Sequence, residues 1–138
     1  MNAGRIPRHG DEEVVMAVSG TWYSAVGSRL ELKEKGSELH GTFDSTESST
    51  GKPFPLHGSV DPDTSLKNRA LSFSVAWIDK STPPTSKNRS VTSYTGQYHN
   101  DKGVETIQVV FLLANETTPA KAYASVFVGS DIFTRTKP

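Results

Sequence analysis

Apolar residues recur at every second position in short runs along this chain, and each run stops at Gly, Pro, Asn, Asp or Ser. Such runs fall at about 20–26, 29–34, 38–46, 55–61, 69–78, 89–99, 105–114 and 121–129. Period-two alternation puts successive side chains on opposite faces of a strand, and turn residues at regular intervals separate one strand from the next. No helical periodicity longer than about two turns interrupts the series. Eight consecutive strands with short links predict an all-β fold, an eight-stranded antiparallel up-and-down β-barrel. Closing the meander removes sheet edges that would otherwise aggregate.

The alternation also assigns faces. Leu71, Phe73, Val75 and Trp77 share one side of the fifth run, and Ser72, Ser74 and Ala76 share the other. The seventh run breaks this rule, since Val109, Val110, Phe111, Leu112 and Leu113 are all apolar, and Val126, Phe127 and Val128 do the same in the eighth. Strands apolar on both faces need cover outside as well as inside. Val110, Leu112, Val126 and Val128 are therefore expected at a subunit interface, with a tetramer favoured slightly over a dimer. The competing expectation is that the N-terminal segment folds over these strands.

Length changes the picture by limiting it to one domain: 138 residues are read as a flexible tail over 1–18 and a barrel over 19–138. Five apolar residues, Val14–Val18, preceded by Asp11, Glu12 and Glu13, do not make a signal peptide. With no stretch near the ~20 apolar residues of a span, a soluble chain is expected, secreted or cytoplasmic. Fifteen basic and fifteen acidic residues cancel, which argues against a nucleic-acid or acidic-membrane partner. There is no cysteine, so disulfides, thiolate metal sites and thiol nucleophiles are excluded. The four histidines, at 9, 40, 57 and 99, show no metal-ligand spacing, and no metal site is expected. Catalytic motifs such as a nucleophile elbow, a phosphate-binding loop or HExxH are missing, so no enzyme is expected.

Five motifs narrow the choice among small barrels. Gly20-Thr21-Trp22-Tyr23-Ser24-Ala25-Val26-Gly27-Ser28 resembles the first-strand signature of the avidin and streptavidin family. Pro55-Leu56-His57-Gly58, Ser74-Val75-Ala76-Trp77, Thr95-Gly96-Gln97-Tyr98 and Val128-Gly129-Ser130-Asp131-Ile132-Phe133-Thr134 follow in the family's order. The resemblance implies a non-catalytic barrel that holds biotin, needs no other cofactor, forms a homo-oligomer and sequesters its ligand. A barrel of the same family repurposed for another small ligand is the alternative.

The resemblance also implies a site. Ser24, Ser28 and Phe43 stand where the family places hydrogen-bond donors to the ureido oxygen, and Phe43 has no hydroxyl to donate. Ser45 and Asp131 stand at the acceptors for the ureido nitrogens. Ser90 and Thr92 match hydroxyls on the sulfur and tail side, and Ser49 lies in the lid, 46–52, where a backbone N–H would meet the carboxylate. Of four wall tryptophans Trp77 is kept, and Tyr94, Phe111 and Tyr123 stand at the other three positions. Val26 and Leu113 are apolar members of the same candidate site. Trp22 is read as barrel core.

Overall fold

The computed structural model describes residues 17–46, 52–78, 89–120 and 126–138. Eight strands follow in chain order: β1 (Gly20–Ser24), β2 (Arg29–Lys35), β3 (Glu38–Asp44), β4 (Phe54–Val60), β5 (Asn68–Trp77), β6 (Ser90–Asp101), β7 (Val104–Asn115) and β8 (Val126–Thr134). Each runs antiparallel to the next, and β1 also pairs with β8, so the meander closes into the expected barrel. No helix among the described residues is long and apolar enough to cross a membrane.

Most strand boundaries shift by one or two residues from the sequence reading, and two of the shifts have a local explanation. β1 ends at Ser24 rather than 26, because the Ser24 N–H bonds Ser28 O and the Gly27 N–H bonds Ser24 O, closing a turn. The eighth strand lies at Val126–Thr134 instead of 121–129, while 121–125 is outside the described residues. Gly129-Ser130-Asp131 reads locally as a strand end. In the barrel, Phe127, Gly129, Asp131 and Phe133 instead continue one side-chain series, and fully buried Phe133 anchors its far end.

Inward residues fill the barrel: Trp22, Leu30, Leu32, Leu39, Leu56, Phe73, Val75, Tyr98, Ile107 and Phe133 are all nearly or wholly buried. The strand directions divide this interior into two ends. At one end are the tight connection Gly36-Ser37 and the links 61–67 and 102–103; at the other are the turn 25–28, the ends of β3, β5 and β7 and the starts of β4, β6 and β8. The first end is closed by charge. Buried Arg69 on β5 binds the Glu34 carboxylate and the Asp61 carbonyl, and Glu34 also accepts the Val18 N–H. Val18 is itself fully buried, and its carbonyl accepts the Trp22 indole N–H at 2.8 Å.

The β1–β8 seam is short, with two registered pairs, Tyr23–Thr134 and Ser24–Phe133. Arg135 reinforces it. Its guanidinium lies 3.7 Å over the Trp22 ring and donates to the Ala17 and Ser19 carbonyls and to Glu105. A side chain at Gly20 would bring its Cβ to 2.6 Å from Arg135 Nη1, so glycine leaves the path for this arginine open.

Candidate ligand-binding site

The alternation that builds the core continues up each strand to the second end, where inward residues become polar or aromatic. Ser24 ends β1, Ser28 precedes β2, Trp77 ends β5, and Ser90, Thr92 and Tyr94 alternate along the start of β6. Phe111 and Leu113 lie on β7 opposite Gly129 and Phe127 of β8. The barrel thus brings Ser24, Ser28, Phe43, Trp77, Ser90, Thr92, Tyr94, Phe111 and Leu113 to one end. Ser45 continues the inward series past β3, and half-buried Asp131 lies one inward step below Gly129. Val26 is not brought into this set: it stands in the β1–β2 turn and is 68% exposed. Ser49 and Tyr123 lie outside the described residues.

The hydroxyls are buried and organised. Ser24 and Ser28 are 2% and 5% exposed. Ser24 Oγ accepts the Ser28 N–H at 3.1 Å. Ser28 Oγ accepts the Thr46 N–H at 3.1 Å and lies 3.2 Å from Thr46 Oγ1. Thr92, 1% exposed, accepts the Trp77 indole N–H at 2.7 Å. Because that oxygen acts as acceptor to Trp77, the Thr92 hydroxyl proton is directed elsewhere. The Asp131 carboxylate accepts the Ile132 N–H at 2.9 Å.

Phe43 is the hub of the aromatic wall. Its ring stacks on Tyr94 at 5.6 Å and meets Trp77 and Phe133 edge-on at 5.2 and 5.9 Å. Phe73 stacks on the other contact of Tyr94 at 4.7 Å, Phe111 tilts against Tyr94 at 5.5 Å, and Phe54 against Trp77 at 5.3 Å. Phe111 also packs on the bare backbone of Gly129, where an added Cβ would fall 2.4 Å from the ring. Offset and edge-on pairs of this kind each add about 0.5–1.5 kcal/mol beyond area burial and hold the ring planes in place.

Sequence reasoning read Thr46 only as part of the lid and Phe73 only as an inward residue of its strand, and it missed Phe54, Gly129 and Phe127. Inward parity was the available signal for the last three. Phe127 shares the inward series of β8 with Phe133, is 53% exposed and stands across from Leu113 at the end of the barrel away from Arg69. A separate hollow of about 200 Å3, lined by Tyr23, Gly27, Arg29, Asp44, Thr46 and Lys137, lies on the outer side of the wall and shares Thr46 with the inner network. Among the described residues no group of three or more His, Asp or Glu could hold a metal ion.

Fixed hydroxyls set beside close-packed rings suit a small ligand with a polar head and an apolar body. A family model described as the avidin family matches residues 12–136, a range that takes in all eight strands. The chain belongs to the avidin family, whose barrels bind small ligands without catalysing a reaction.

Proposed function

We propose that this barrel binds biotin, without catalysis, and that it works as a homo-oligomer that sequesters the ligand. The observation that carries the reading is that the buried hydroxyls of Ser24, Ser28 and Thr92 lie at the same end of the barrel as the Phe43–Trp77–Tyr94 aromatic cluster, with Thr92 bonded to Trp77. In this reading Ser24 and Ser28 donate to the ureido oxygen. On the same reading Thr46 donates twice to Ser28 Oγ, through its N–H and through its hydroxyl, so that the Ser28 proton is left for the ligand. Ser45 and Asp131 accept from the ureido nitrogens. Trp77, Tyr94 and Phe111 flank the bicycle, Phe127 and Leu113 line the mouth, and the Thr92 and Ser90 hydroxyls face the sulfur side.

Phe43 removes one donor, a change costing about 1–3 kcal/mol for a buried polar ligand group. Smaller rings at Tyr94 and Phe111 each forfeit about 1 kcal/mol of apolar contact. Such losses, summed with about 1–3 kcal/mol for the shorter reach of Ser24, reach roughly 4–8 kcal/mol. Subtracted from the affinity ceiling near −18 to −20 kcal/mol, they give a dissociation constant between about picomolar and sub-micromolar. Titration calorimetry with biotin tests this range, and the absence of heat and of any thermal shift at millimolar biotin would sink the proposal.

For assembly, Val110, Leu112, Val126 and Val128 are outward and 58%, 53%, 50% and 70% exposed in the single chain. Leu112 and Val128 are direct cross-strand partners, so these residues form one continuous apolar face on β7 and β8. Covering that face with a second barrel follows from its composition. Light scattering is expected to return four times the chain mass, and a monomer would refute this part.

A further inference from the structure

Histidines spread through the sequence are brought together on the outside of the barrel. His40 on β3 and His57 on β4 are direct cross-strand partners. Both are exposed, and they alternate with inward Leu39, Gly41, Leu56 and Gly58. How closely two opposed residues approach depends on the phase of the backbone hydrogen bonds. The two-residue connection Gly36-Ser37 pairs Lys35 with Glu38, and residues that flank such a turn exchange both backbone bonds. Every second residue from Glu38, His40 included, then directs its N–H and C=O toward β2. The Val60 N–H bond to Ser37 O, at 2.9 Å, fixes the same phase on the β4 side. His40 and His57 are therefore a non-hydrogen-bonded pair, the closer of the two kinds, with Cα atoms about 4.5 Å apart.

We propose that His40 and His57 form a two-histidine site for a divalent late first-row transition metal ion, with Cu(II) held best. Imidazole nitrogen suits copper, nickel and zinc, and copper leads the affinity order for such donors. Two imidazoles on adjacent strands of a closed barrel have their Cα separation fixed in advance, which lowers the ordering cost of chelation. Water fills the remaining coordination positions. The charged neighbours are mixed. Lys33 lies directly across from His40 on β2, with Glu31 and Lys35 on the same face; Glu38 shares that face of β3, and Ser74 on β5 lies across from His57. His99 is placed differently, with its Nδ1 hydrogen-bonded to Asn68 near the closed end. A bound ion would staple β3 to β4 and stabilise the folded chain by mass action. The site lies outside the barrel and does not rest on the biotin reading.

The test is a Cu(II) titration of the full chain at neutral pH in a non-coordinating buffer, by calorimetry and by thermal melting. One ion per chain and a rise in melting midpoint are expected, both reversed by excess chelator. Loss of a group that merely supports a ligand weakens metal binding 10–100-fold, so His40→Gln and His57→Gln should each weaken it at least about tenfold. The double variant should be no worse than either single one, because one imidazole alone no longer chelates. Both single variants keep His9 and His99, so undiminished affinity in either would overturn the proposal, as would the absence of binding in the unaltered chain. Melting of the same variants without metal, expected at the midpoint of the unaltered chain, checks that the barrel is intact.

Discussion

Glu34→Ala tests the charged closure of the barrel at the end away from the candidate site. The guanidinium of Arg69 is 0% exposed and donates to both Glu34 oxygens, at 3.1 and 2.5 Å, and twice to the Asp61 carbonyl, at 3.0 and 2.6 Å. Removing the carboxylate takes a charged, doubly hydrogen-bonded partner from a buried cation, a change that costs about 3–5 kcal/mol. Glu34 keeps 13% side-chain exposure, and Asp61 continues to accept, so the lower figure of about 3 kcal/mol applies. At roughly 3–4 °C per kcal/mol for a chain of this size, the melting midpoint should fall by about 10 °C. Calorimetric melting reads this directly. A fall of less than about 3 °C would refute the argument that the pair holds the closed end. The double variant Glu34→Leu with Arg69→Met should recover most of the loss, since an apolar replacement of both partners removes the desolvation penalty as well.

The same pair has an acid signature. Burial, the largest single influence on Glu34, pushes its carboxyl up. The Arg69 hydrogen bonds, the Val18 N–H, the Arg69 charge and the Ser19 contact together outweigh it and hold the group below its usual 4.5. A carboxyl whose folded pKa is depressed stabilises the fold above the unfolded value, and that contribution fades as pH falls through the folded one. The stability gap between the native chain and Glu34→Gln should therefore be full at neutral pH and shrink below about pH 4.5. A gap that widened on acidification would contradict the sign.

Three further perturbations address the site and the outer face. Thr92→Val deprives the Trp77 indole of its acceptor and should cost about 1–2 kcal/mol of stability and about tenfold in biotin affinity; unchanged affinity in calorimetry would remove the Trp77–Thr92 pair from the site. Gly129→Ala puts a Cβ where the ring of Phe111 lies and should displace that ring toward solvent, weakening biotin about tenfold. In a Phe111→Ala background the same substitution should be nearly neutral, and equal effects in both backgrounds would show that Phe111 does not transmit it. Val128→Lys places a charge in the apolar β7–β8 face, 70% exposed in the single chain, and should lower the mass seen by light scattering; an unchanged mass would move the interface elsewhere.

Side-chain parity was legible in the sequence because it depends on nearest neighbours alone. Leu71, Phe73, Val75 and Trp77 share the inward face as read, and Val110, Leu112, Val126 and Val128 face outward. Height along the barrel was not legible, since it accumulates from every turn length and register between two strands. Arg69 shares the inward face of β5 with Trp77, yet one plugs the closed end and the other joins the site. Their difference is set by where β5 sits against β4 and β6, which no local pattern encodes. The contacts that depend on height are also long-range: Arg69 meets Glu34 across 35 positions, and Arg135 meets Ala17 across 118. The eighth strand was misplaced for the same reason, because a Gly-Ser-Asp stretch is a turn by composition and an inward strand only once Phe133 is fixed in the core. The His40–His57 pair carries the point outside the barrel. Parity places both on the outer face, but only the register, and the hydrogen-bond phase set by Gly36-Ser37, makes two scattered histidines a close pair.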